Sequence, residues 1–529
     1  MADGGGPWGA FRRLDPFLRA VVVVAAAAVV AGVVFAAWTF WPSSESECEK
    51  AGLRGGDDRC YGVTDGAHAF FPELEPVSGR IKEQNDKVTS GRFGDPGQPY
   101  VTIALMIPMS PGEGKAHTGE RTEVVREVQG AYLAQLRANE KERRLPPVRL
   151  VLANPGVGMT DERAEERVRE VSDDLGGMVK GRHKLRTVFG FNLSVEAVRE
   201  NLEILTEEKH IPVVGGPITA HTLANTPSEE PFPGLAKVVP DNKDQTEALL
   251  GRLGKEDKDL FLVEDEAPKD LYARSLRRAF KDAAKGAPYA PETYDSGRML
   301  PDTFGDIVQN LCESGRDTVL FAGRPKELSQ FVSELGDRDC ARPLTLATVS
   351  GASTLALDPE FDWEALHERG GLTVTYATVT HPDAWKKSTR PPRYGGSAND
   401  LAKLTELIDE QKAKGKAKGN GGIGPTDLDD GRTITMYDSA LTSIERIHKA
   451  APSQREVPDP RDVAAATSRL SGANKVKGAS GWICLRDHGT PYNKAVAVVR
   501  LDPEEKRVAF DRLAWPEGAP KKYCKAPSE

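Results

Sequence analysis

The chain has 529 residues, of which 28% are charged and 39% hydrophobic, and a formal net charge of −8. This length and apolar content suit a globular body of more than one folded unit. The acidic balance supplies no basic face for a nucleic acid.

The first element in chain order is apolar throughout. From Ala20 to Trp41 every residue is apolar or small. At about 1.5 Å per residue this run reaches about 33 Å, enough for a hydrocarbon core of about 30 Å. Trp38 and Trp41 stand at its far end, where indole rings favour the membrane interface. Arg12, Arg13 and Arg19 precede the run and Glu45, Glu47 and Glu49 come after it. The positive-inside rule then puts residues 1–19 in the cytoplasm and the remainder outside. A cleavable signal is the alternative, but residues 37–44 (AWTFWPSS) make a poor cleavage site, so an uncleaved single-pass anchor over 20–41 is expected.

Residues 42–97 are rich in Gly, Ser, Asp and Pro, and are expected to form an extracytoplasmic stalk. Regular alternation starts at Tyr100–Ile107 (YVTIALMI), with a polar loop holding Ser110 after it. A helical pattern over 122–139 leads to the apolar run 148–153, a charged helix at 161–175 and the run 187–191. A helix at 194–207 and the runs 211–214 and 236–239 come next. Then there are a helix at 243–253, the run 259–263, a helix at 269–284, the run 318–322, a helix at 325–335 and the run 344–347. Short apolar runs between amphipathic helices are strands buried on both faces, which predicts parallel α/β sheets covered by helices. Loop-rich stretches near 220–235 and 350–370 divide the pattern into two units with a cleft between them. Lys412–Gly422 (KAKGKAKGNGG) has the composition of a mobile, solvated insertion.

Catalytic signatures are absent: the chain has no Walker A motif, no G-x-S-x-G and no H-E-x-x-H. A G-x-G-x-x-G spacing at Gly419–Gly424 comes after the lysine-rich segment rather than a strand, and so lacks its structural context. Asp427–Asp430 starts like a calcium loop, but Gly431 stands where an oxygen ligand is needed; solvated surface is expected there. No cofactor and no metal are expected. All six cysteines (Cys48, Cys60, Cys312, Cys340, Cys484 and Cys524) lie beyond the apolar run, and no C-x-x-C occurs. Six cysteines allow 15 connectivities. Proximity in sequence favours Cys48–Cys60, Cys312–Cys340 and Cys484–Cys524. In open parallel sheets, ligands bind beyond the carboxyl ends of the strands. Ser194, Pro217, Thr219 and Glu327 occupy such positions, and Ser110 stands after the first run in the same way. Ser194 opens a helix, where its hydroxyl and the free N–H groups suit a carboxylate.

The order of these pieces resembles the type 1 periplasmic binding proteins, in particular the leucine/isoleucine/valine-binding receptors of ABC transporters. The matching segments are Val128–Ala134, Val188–Ser194, Ile211–Val214 with Thr219-Ala220, Asp317–Gly323, Tyr437–Ala440 and Gly478–Ile483. The resemblance implies two Rossmann-like lobes joined by a three-strand hinge and preceded here by one transmembrane helix. Lobe one would be 98–232 and 356–460, and lobe two 236–350 and 461–524. In such receptors the residues matching Ser194 and Thr219 hold an amino acid's carboxylate and ammonium, and the acid matching Glu327 completes the ammonium site. The family's Tyr-Gly is replaced by Ala267-Pro268-Lys269-Asp270, with Tyr272 as the nearest aromatic candidate downstream. The resemblance and the apolar span together imply a non-enzymatic receptor for a small, amino-acid-like ligand at the outer face of a cell membrane, partnered by a permease or a sensor. A pocketless assembly domain on the same fold, or a secreted hydrolase, are the alternatives.

Overall fold

A computed structural model describes residues 15–18, 20–25, 46–55, 59–93, 98–144, 146–158, 161–254, 259–286, 290–297, 301–386, 394–419, 421–453 and 456–526. Its strands are β1 Gly62–Thr64, β2 Val101–Met106, β3 Val148–Asn154, β4 Leu185–Gly190, β5 Val213–Gly215, β6 Leu235–Lys237, β7 Leu260–Asp265, β8 Glu292–Tyr294, β9 Thr318–Ala322, β10 Leu344–Thr348, β11 Leu372–Thr378, β12 Val476–Gly478, β13 Gly481–Ile483, β14 Val496–Asp502 and β15 Arg507–Ala514. The longer helices are α1 Glu75–Thr89, α2 Thr118–Leu136, α3 Ala164–Gly177, α4 Glu196–Glu203, α5 Asn242–Leu253, α6 Leu271–Ala283, α7 Pro301–Ser314, α8 Pro325–Gly336, α9 Ala398–Lys418 and α10 Arg432–Ala450.

Two sheets carry the chain. The first has six strands in the order β1-β3-β2-β4-β5-β6, parallel except for β1. The second has seven in the order β15-β14-β11-β10-β9-β7-β8; β14 runs antiparallel to β11, and β15 antiparallel to β14. Strands β2, β3 and β4 are buried along their whole length, as helices on both faces require. In the first lobe α10 crosses α2 at close range. A Cβ on Gly130 would lie 2.4 Å from the Thr433 carbonyl oxygen, so only glycine admits that approach.

The expected strands and helices from 100 to 347 stand within a few residues of their predicted places, whereas several longer-range expectations need correction. Residues 46–93 are no stalk. β1 adds to the edge of the first sheet, and Leu74, Val77, Ile81 and Val88 bury the apolar stripe of α1 and its preceding turn within the first lobe. The Asn85 side chain fastens that helix, since its Oδ1 accepts from Leu150 N at 2.9 Å and its Nδ2 donates to Leu150 O at 2.6 Å. The lobe boundaries differ too. β11 pairs with β10 and β14, which puts 372–378 in the second lobe. Val463, Leu470, Val476 and Ile483 pack in the first-lobe core, which moves this part of 461–524 out of the second lobe. The chain therefore passes between the lobes three times: after β6, after β11 and between β13 and β14. Lys412–Lys418 is no loop either. It closes α9, where lysines in the last turn complement the helix dipole and Gly419 caps it in the left-handed conformation.

The three disulfides are Cys48–Cys60, Cys312–Cys340 and Cys484–Cys524, the pairs that proximity favours. Of the expected span, residues 20–25 are helical, and 26–41 lie outside the described residues. Among the described residues no helix is long and apolar enough to cross a membrane.

Candidate functional site

The strand ends of lobe one are built from tight glycine turns. Gly190 ends β4 at φ +116° and Phe191 comes next at φ +61°, a left-handed conformation that is costly for a bulky residue. The Phe191 amide donates to Met106 O at 2.9 Å, and Gly216 N donates to Gly190 O at 2.7 Å. Gly216 also leaves no room for a Cβ, which would stand 2.8 Å from that same oxygen. These turns bring Asn192, Leu193 and Ser194 on one side, and Pro217 and Thr219 on the other, to a cavity between the lobes.

Lobe two closes the cavity with Tyr272 on α6, with Arg324 and Pro325 at the start of α8, and with Ser350, Gly351 and Ser353 after β10. The space within this cleft is about 80 Å³. That is well below the roughly 300–1,000 Å³ of drug-sized pockets and suits a small solute. Val379, Asp430, Gly431, Arg432 and Thr435 complete the wall. Among the described residues no cluster of three or more His, Cys, Asp or Glu is arranged to hold a metal ion.

Ser194 is 3% exposed, and its Oγ accepts from Ala220 N at 3.3 Å. Thr219 is 2% exposed, and among the described residues its hydroxyl meets no partner. The Tyr272 hydroxyl accepts from Gly351 N at 3.1 Å, and burial pushes its ionisation above the ordinary phenol range. Arg324 forks onto Asp270, with Nη2 3.0 Å from Oδ1 and Nε on Oδ2. The same Nη2 donates across the cleft to Ser194 O at 3.3 Å, and the guanidinium carbon lies 5.4 Å from the Tyr272 ring centre. Tyr272 N also donates to Ser194 O, at 3.0 Å, so one carbonyl of lobe one is gripped twice by lobe two.

Behind the opposite wall lies a buried ionic network. Arg432 donates to Glu127 Oε1 at 2.8 Å and pairs with Glu123 at 2.9 Å, while Asn192 Nδ2 donates to Glu127 Oε2 at 2.7 Å. Burial holds the Glu127 carboxyl above its usual range, with the Arg432 charge opposing. Asp430 accepts from Arg126 Nη1 at 2.8 Å and from Arg432 N at 3.0 Å.

Of the residues expected from sequence, Ser194, Pro217, Thr219 and Tyr272 come together. Glu327 does not line the cavity. It is buried in the first turn of α8, where desolvation raises its carboxyl above the usual range. Ser110 is elsewhere as well. Its Oγ donates to Cys60 O at 3.0 Å and accepts from Asn154 Nδ2 at 2.9 Å, which ties the β2 loop to the first disulfide. Asp430, expected on the solvated surface, is a buried wall residue. Arg324, Asn192 and Arg432 are wall residues that the sequence reading does not select. Arg324 lay within its reach, because it stands after β9 three residues before Glu327 and the same strand-end rule applies to it.

No protein-family model matches the chain, and no curated protein matches its sequence. Solved structures do match its fold. A leucine-binding protein of Thermotoga maritima aligns over 79% of this chain and 99% of its own, with 17% identity and a TM-score of 0.53. A branched-chain amino acid transporter substrate-binding protein of Streptococcus pneumoniae, solved with isoleucine, covers 79% of this chain and 100% of its own at 14% identity and TM-score 0.53. A solute-binding protein of an ABC transporter from R. palustris, solved with 4-hydroxybenzoate, covers 79% and 96% at 13% identity and TM-score 0.54. The chain thus has the type 1 periplasmic binding protein fold.

Proposed function

We propose that this protein is a membrane-anchored, extracytoplasmic solute-binding protein that captures a small polar ligand between its two lobes and hands it to an ABC-type transporter or a sensing partner. The observation that carries the reading is the cavity at the carboxyl ends of the lobe-one strands, where the buried residues Ser194 and Thr219 face Tyr272 and Arg324 of the other lobe. The fold neighbours support it, since their ligands include isoleucine and a hydroxybenzoate. The anchor rests on the apolar run Ala20–Trp41 and its flanking charges. Mass spectrometry of small molecules released by denaturing the purified full chain tests the capture. A solute released in equimolar amount from the native sequence, and absent from Ser194→Ala/Thr219→Val, is the expected result; an empty preparation that takes up no solute on incubation would contradict it.

One observation favours a second reading, a pocketless assembly domain. Arg324, Asp270 and Tyr272 already latch lobe two onto Ser194 O, and the cavity left between them is small. Solute uptake in the experiment above separates the two.

A further inference from the structure

We propose that the cavity takes a short-chain carboxylic acid without an ammonium group, and that Arg324 reads its carboxylate across the cleft. This rests on the solute-receptor reading and narrows its ligand. Arg324 spends Nε and Nη2 on Asp270 and Ser194 O, while its Nη1 has no partner among the described residues. Facing it from lobe one are Ser194 and Thr219, 3% and 2% exposed. Ser194 Oγ only accepts in this structure, and Thr219 Oγ bonds nothing among the described residues, so both retain an O–H donor to offer. Arg324, Ser194 and Thr219 thus put three available donors on the wall of one cavity, which suits an acceptor-only group such as an ionised carboxylate. Helices α4 and α8, from opposite lobes, both begin at this wall, and neither Val195 nor Arg324 caps its helix with a side chain.

An ammonium would meet a carboxylate that is already engaged. Among the described residues Asp430 is the one carboxylate on the wall, and its oxygens already accept from Arg126 and from Arg432 N. Glu327 stands off the wall. The volume of about 80 Å³ favours a short chain for the remainder of the ligand, with Pro217, Val379 and the Tyr272 ring as its apolar contacts beside the hydroxyls of Ser350, Ser353 and Thr435.

Isothermal titration of the full chain in detergent with pyruvate, L-lactate, L-alanine and L-leucine tests this. The expected result is that pyruvate or lactate binds at least tenfold more tightly than alanine or leucine. Arg324→Gln should weaken that binding at least tenfold, and Arg324→Lys should weaken it less. The melting temperature of each variant without ligand checks its fold. Ser194→Ala, which removes a different donor, should move affinity in the same direction should Arg324→Gln unfold. Tighter binding of alanine or leucine, or an Arg324→Gln variant that is folded and binds as well as the native sequence, overturns the inference and leaves a solute receptor standing. Absence of binding by all four acids overturns it too. A wider thermal-shift panel of sugars, nucleosides and peptides then decides whether the receptor reading falls with it.

Discussion

Ser194 and Thr219 stand where they do because the backbone before each is unusual. Phe191 at φ +61° and the paired glycines Gly190 and Gly216 turn two strand ends toward the cleft. Such conformations persist where the surrounding packing enforces them, and they gather at binding sites. Replacing the two side chains together, Ser194→Ala with Thr219→Val, removes both hydroxyls and keeps their volume nearly unchanged. Each hydrogen bond to a charged ligand group is worth about 1.5–3 kcal/mol, so affinity should fall by roughly a hundredfold or more. Circular dichroism and the melting temperature should stay close to native, and an unchanged affinity would show that the site lies elsewhere. Ser194, Pro217 and Thr219 reach the cavity as expected because strand ends converge in an open parallel sheet, whereas Tyr272, taken from the resemblance, reaches it from α6. Glu327 and Ser110 fall away from the cavity for different reasons. A helix first turn holds several side chains of which only some face the cleft, and the sequence does not say which. Ser110 is claimed by the loop that the first disulfide closes, a contact across 50 residues.

Elements with strong periodicity were readable in the sequence; those defined by what they pack against were not. The spacing of Leu74, Val77, Ile81 and Val88 marks a helix, yet the polar composition around it hid the pattern. Beside that apolar packing, the amide of Asn85 fastens α1, bonded to both backbone groups of Leu150 and to Gln135 Nε2. Asn85→Leu strands those buried groups and should cost about 2–4 kcal/mol, on the scale of about 1–3 kcal/mol per orphaned group. Chemical denaturation measures it, and a loss under about 0.5 kcal/mol, the range of an ordinary surface substitution, would show that α1 is not fastened there. On α10, burial beside the Arg144 guanidinium pushes the His448 imidazole down to about 4 from its ordinary 6.5. Because the folded value lies below the unfolded one, the unfolded chain takes up the proton first. The contribution of His448 is therefore complete above pH 6.5 and is lost as the pH falls toward 4, by about 3 kcal/mol at most. Relative to the native chain, His448→Gln should flatten the decline in melting temperature between those pH values. Equal slopes for the two proteins would contradict the assignment.

At the scale of the whole molecule, two α/β lobes meet across a cavity, and the chain passes between them three times. The parallel rhythm of the sequence foretold two units. Their boundaries were harder to read, because β11, β14 and β15 join a sheet whose other strands lie far away in sequence. On the proposed function, hinge motion about these crossings would open and close the cavity on its solute. On the proposed topology the two-lobed body lies outside the membrane. Cell fractionation should recover the full chain with membranes, and removal of residues 1–45 should release it; intact-mass measurement after alkylation without reduction should find no free thiol. Recovery in the soluble fraction with all six thiols alkylated would contradict both the anchor and the disulfides.

Capture of a solute between the lobes is the proposal on which the others depend. It is tested by the melting temperature of the full chain against a panel of amino acids, short carboxylic acids, small peptides, nucleosides and aromatic acids. A ligand that binds only the native state at 100 times its Kd stabilises it by about 2.7 kcal/mol. Solute capture predicts a clear upward shift with one chemical class that is absent in Ser194→Ala/Thr219→Val. A well-folded protein whose melting temperature responds to none of them would contradict it and leave the assembly domain as the better reading.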